Sequence, residues 1–150
     1  DVYKRQAINI AKDISGFYQI FGYRLMFHSK RRLVELYGDK LGQKLKDGKY
    51  ILKEENREDY YPLIQNSYGT MIYRSYLINL LSELPNLNME FCYLNSSFIS
   101  SEIYARVIQI YLDALNGKDL SLALEDIKDL NLKLSDGFAY QDSIYQKEDF

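Results

Sequence analysis

The chain has 150 residues, 47% hydrophobic and 27% charged, with eight glycines and two prolines. That is enough chain for one buried core, and too apolar and proline-poor for a disordered protein. The net charge of −2 hides a polarity: residues 24–57 hold ten Lys/Arg against five Asp/Glu, and residues 58–150 hold six against fourteen.

A lone cysteine, Cys92, excludes an internal disulfide and a cysteine-built zinc site. A lone histidine, His28, excludes paired-histidine metal motifs. No apolar run approaches the ~18 residues of a membrane span, so no transmembrane segment is expected.

In chain order, Ile10, Ile14, Phe17, Phe21, Leu25 and His28 recur at spacings of three and four, which predicts a helix over 7–37 that Gly38-Asp39 stops. A short helix over 39–46 follows, then a turn at Asp47-Gly48 and a short strand-like run, Tyr50-Ile51-Leu52. Glu58, Asp59 and Pro62 suit a helix start, and Ile64, Tyr68 and Met71 with Leu77, Leu80, Leu81 and Leu84 predict a central helix over 60–84, ended by Pro85. Residues 86–95 read as an extended or short helical link.

Ser100-Ser101-Glu102 opens a helix over 101–116, with Val107 and Ile110 on its apolar stripe. Asn116-Gly117 closes it, and Gly117 should take a left-handed conformation. Asp119 or Ser121 caps a last helix over 120–135 bearing Leu124 and Ile127, stopped by Asp136-Gly137. The two helices should pack as an antiparallel αα-hairpin. The expected architecture is therefore all-α, an irregular bundle of about five helices in a single domain over 7–137, with an irregular tail over 138–150.

Two segments resemble known sequences. Asp1-Val2-Tyr3-Lys4-Arg5-Gln6 resembles the translated end of a transposon-derived adapter used in sequencing libraries. This implies that residues 1–6 are a non-native scar, that the chain is a fragment of a longer protein, and that its compartment cannot be read. Residues 112–131, through Leu115-Asn116-Gly117-Lys118-Asp119-Leu120-Ser121-Leu122-Ala123-Leu124, resemble the late helical hairpin of extracellular solute-binding proteins of ABC importers. No ligand residue carries over from that likeness.

Little in the sequence carries catalytic chemistry. There is no Gly-rich loop followed by Lys-Ser/Thr, no Gly-x-Ser-x-Gly elbow and no Cys-x-x-Cys. No cofactor and no metal is expected. Arg24 and His28 resemble the Arg-to-His motif of helical ribonuclease toxins of the HEPN type, with a shorter spacing; the expected reading is a half-buried histidine beside a solvated arginine. Neighbouring acids such as Glu54-Glu55 and Glu125-Asp126 point to different helix faces and read as solvated surface.

The features left for binding are the fifteen tyrosines and the basic segment. Tyr68, Tyr76, Tyr104 and Tyr111 sit beside apolar stripes, where a ring is buried and a hydroxyl stays wet, and are candidates for a ligand or partner surface. Lys30, Arg31, Arg32, Lys40, Lys44 and Lys46 are candidates for a polyanion patch without base-specific function. The resulting expectation is a noncatalytic binding or protein-interaction module for a protein or small-molecule ligand, with no sequence-specific nucleic acid. The helical part of a solute-binding protein is the alternative.

Overall fold

A computed structural model describes residues 17–56, 58–87 and 90–136. It overturns the all-α helical bundle. The strands are β1 (Phe17–Ser29), β2 (Gly48–Lys53), β3 (Tyr60–Asn66), β4 (Gly69–Asn79), β5 (Phe91–Leu94) and the short β6 (Leu134–Ser135). The helices are α1 (Leu33–Lys40), α2 (Ser101–Leu115) and α3 (Leu120–Lys128), with a 3-10 turn at Leu81–Asn86. All six strands belong to one mixed sheet, in the order β2-β3-β4-β1-β5, with β6 beside β4.

The expected helix over 7–37 is a strand over Phe17–Ser29 and helical only at its end, from Leu33, and the expected helix over 60–84 is the strands Tyr60–Asn66 and Gly69–Asn79 followed by the 3-10 turn. Residues 17–29 and 60–79 are so densely apolar that helical spacing finds matches by chance. Their aromatic and β-branched side chains favour the pleated conformation. Asn66 to Gly69 splits the second run into a hairpin, with Asn66 opposite Gly69. Pro62, read as a helix start, stands opposite Ile51 of β2 and next to Leu63, which pairs with Ile72 of β4. The predicted 39–46 helix is the end of α1 and a loop. Residues 1–6, the N-terminal part of the 7–37 helix, and the 138–150 tail lie outside the described residues.

The chain divides into two compact units, residues 23–77 and residues 1–22 with 78–150. In the first, β2, β3 and β4 form an antiparallel meander. Val34, Tyr61, Leu63 and Leu77 are buried there together with two polar residues, Gln65 and Thr70. Val34 and Tyr37 of α1, with Leu63 and Ile72 of the sheet, line an apolar cavity of about 330 Å³.

In the second unit, β5 runs parallel to the start of β1, pairing Phe17 with Phe91 and Tyr18 with Cys92. Ile20, Phe21, Leu80, Leu81, Val107, Ile110, Tyr111, Ala123 and Ile127 form its core. Phe17, on the apolar face of the predicted first helix, is 77% exposed and stacks on Phe91 with ring centroids 5.1 Å apart.

The helical hairpin is the part that matches expectation. The Ser100 hydroxyl accepts from the Ile103 N–H at 3.3 Å, and the Asp119 carboxylate accepts from the Ser121 N–H at 2.8 Å. Gly117 has φ +94°, with no atom within 4 Å of the place a Cβ would take. α3 stops at Lys128 rather than 135, because Asn131 takes a left-handed conformation, φ 52°, and the chain then turns to pair β6 with β4.

Candidate nucleic-acid interface

Three of the basic candidates, Lys30, Arg31 and Arg32, stand at the start of α1. Its first turn leaves backbone N–H groups that the helix cannot satisfy itself, and Arg32, at the N-cap, offers no acceptor. The β3–β4 hairpin supplies them instead. The Thr70 hydroxyl accepts from Leu33 N–H at 2.9 Å, and Gln65 Oε1 accepts from Val34 N–H at 2.8 Å. Thr70 also donates to the Arg31 carbonyl at 2.9 Å, and Gln65 Nε2 donates to Asp47 at 3.3 Å. Both side chains are fully buried, so the hairpin clamps the Lys30-Arg31-Arg32 run in place.

The tip of the same hairpin lies against this run. Ser67 and Tyr68 make the turn, and the Asn66 side chain accepts from Tyr68 N–H at 2.9 Å. Gly69 closes it at φ +111°. A Cβ there would collide with the Ser29 carbonyl oxygen and stand 2.8 Å from Lys30 Cα. Only glycine lets the two backbones approach so closely. His28 completes the junction: its Nε2 lies 3.1 Å from the Tyr68 carbonyl. A carbonyl only accepts, so Nε2 carries the proton.

Tyr68 is left 76% exposed, beside His28, Lys30 and Arg31, all exposed. The N–H groups of the first turn are already bonded within the protein. Attraction for an anion here therefore comes from side-chain cations rather than free backbone donors. Arg32 is largely neutralised, by Glu35 at 2.5 Å and Asp47 at 2.9 Å. Among the described residues, Lys30, Arg31, Lys40, Lys44 and Lys46 are exposed and make no ion pair. Lys46 precedes Asp47, the partner of Arg32; Lys40 ends α1 and Lys44 lies in the loop after it. Residues 23–77 hold eleven Lys/Arg against seven Asp/Glu, a balance of +4 in an acidic chain.

The four candidate tyrosines are divided between the two units. Tyr68 and the half-buried Tyr76 belong to the 23–77 unit. Tyr104 is half-buried in the other unit, its hydroxyl donating to the Leu94 carbonyl at 2.9 Å. Tyr111, expected at a binding surface, is 2% exposed. Its hydroxyl lies 3.1 Å from the Ile20 carbonyl and 2.8 Å from Asn79 Oδ1, and burial pushes its pKa far above that of an ordinary phenol. A long apolar neighbourhood on α2 draws the ring inward, and the two acceptors satisfy its one polar atom.

Other chemistry is sparse. Arg24 and His28 lie on a strand, not on the helix the toxin motif uses, and His28 is engaged in the turn. Cys92 is exposed at the rim of a cavity of about 380 Å³, and desolvation raises its thiol pKa, which keeps it a poor nucleophile. Among the described residues, no three His, Cys, Asp or Glu side chains are placed to hold a metal, and no helix is long and apolar enough to cross a membrane.

Sequence reasoning missed Gln65, Thr70 and Gly69. The turn signal Asn66-Ser67-Tyr68-Gly69 between two apolar runs was the available clue to the hairpin, and nothing local marks Gln65 as a distant helix cap.

No family model matches the sequence, and no solved structure matches it. Among curated proteins, the chain is similar to the tRNA hydroxylation protein P2 of Bacillus subtilis (strain 168), at 24% identity over 148 residues. The match covers 85% of this chain and 48% of the relative, so the chain spans about half that protein's length.

Proposed function

We propose that this chain is a noncatalytic RNA-binding portion of a protein that acts on tRNA, and that residues 23–77 hold the RNA by its phosphates. The observation that carries this reading is the hairpin tip, where Tyr68, Lys30 and Arg31 are exposed together on a clamped backbone. The likeness to a tRNA hydroxylation protein supports it from a separate direction. Such binding is electrostatic and indifferent to base sequence, because the cations meet phosphates.

The test is a fluorescence-anisotropy titration of the whole chain with labelled tRNA. If three cations are engaged, affinity should fall about 20- to 40-fold between about 50 and 200 mM salt. K30A/R31A should weaken binding and flatten that salt dependence. Absence of binding at the lower salt, or binding insensitive to salt, would overturn the proposal.

A further inference from the structure

Resting on the RNA-binding reading, we propose that Tyr68 is a stacking platform for an unpaired RNA base, with Lys30 and Arg31 gripping the phosphates beside it.

Three observations converge. First, Tyr68 is the most exposed tyrosine among the exposed large side chains, at 76%, although a tyrosine ring normally covers apolar surface. Second, its backbone is fixed on several sides: Asn66 accepts from its N–H, the His28 ring donates to its carbonyl, and Gly69 seats the turn against Ser29 and Lys30. A ring held out on a pinned turn loses little freedom when a base covers it. Third, Lys30 and Arg31, whose backbone lies against Gly69 and Thr70 at this turn, are exposed and make no ion pair among the described residues. An aromatic face flanked by positive charge is how proteins hold single-stranded nucleic acid without reading sequence, since every base offers a π face. In a duplex the bases are stacked on each other and closed to Tyr68. The ligand is therefore an RNA with an accessible unpaired nucleotide, such as the loops and ends of a folded tRNA.

The experiment titrates the full chain and its variants with three labelled probes: a tRNA, a single-stranded oligouridine and a blunt RNA duplex. Y68A should weaken binding to tRNA and to oligouridine about 5- to 100-fold while leaving the duplex affinity and all salt slopes unchanged. Y68F, which keeps the ring and loses only the hydroxyl, should bind like the parent. K30A/R31A should flatten the salt slope for all three probes. Circular dichroism checks that Y68A is folded, as an exposed turn position allows.

If the parent binds tRNA and Y68A binds it equally well, the stacking role falls and the RNA-binding reading stands. An equal loss on the duplex would also overturn the stacking role, because no unpaired base is present there. If the parent binds none of the probes, both fall.

Discussion

Tyr68 and Tyr111 show how one residue type serves opposite ends. Both flank apolar stripes in the sequence, yet one ring is presented to solvent on a turn and the other is enclosed, with its hydroxyl between the Ile20 carbonyl and Asn79. Tyr111→Phe should therefore destabilise the protein by about 1 kcal/mol in urea unfolding, since Asn79 Oδ1 loses the Tyr111 donor while the Ile20 carbonyl keeps the Leu80 N–H. The same change at Tyr68 should leave stability unaltered.

Asp119 offers a test by pH. Hydrogen bonds from Ser121 hold its carboxyl below the usual carboxylate range. A depressed folded pKa gives stability that is present above the unfolded value, about 3.9, and is lost as pH falls through the folded value. Asp119→Asn keeps a capping oxygen without a titrating proton. Its melting temperature should fall less steeply than the parent's on acidification below about pH 4; parallel curves would refute the assignment.

Among the elements, α1 and the α2–α3 hairpin are built on different logic. The hairpin carries its own instructions: Ser100 and Asp119 cap its helices, and Gly117 at φ +94° joins them. Gly117→Val should cost about 1 kcal/mol or more, read by chemical denaturation, because the β-branched side chain resists positive φ.

The eight-residue α1 instead borrows its cap from residues more than 30 positions away. Gln65→Leu should destabilise by about 1–3 kcal/mol, as Val34 N–H loses its acceptor in a buried site. It should also weaken tRNA binding without touching a cation, because Lys30 and Arg31 lose the clamp that presents them. A variant that loses stability but binds tRNA like the parent would separate the clamp from the site.

At the scale of the whole molecule, the core and the charge distribution are separate matters. Leu80 is 2% exposed and Leu115 is 66% exposed, though both lie in apolar runs. Leu80→Ala should cost about 2–5 kcal/mol, and Leu115→Ala should stay within about 0.5 kcal/mol of the parent. Equal effects in urea titrations would contradict the core described above. The charge polarity visible along the chain survives folding as the net positive 23–77 unit in an acidic protein, which makes salt the natural variable for any binding measurement.

Where the cues were local, the amino-acid order sufficed: side-chain oxygens at Ser100 and Asp119, a glycine where φ turns positive, and a cation run at 30–32 whose members stay exposed because a charge resists burial. The apolar runs at 17–29 and 60–79 carried no such cue to their conformation. An amphipathic helix and a strand with apolar residues on both faces place them at overlapping spacings, and the strand wins through hydrogen bonds to partners distant in the chain. The site followed the same division. Lys30, Arg31 and Tyr68 were each visible as candidates, but their adjacency rests on Thr70, Gln65 and Gly69, which join segments almost 40 residues apart. Contacts of that range depend on strand pairing and burial, and no local pattern of residues encodes them.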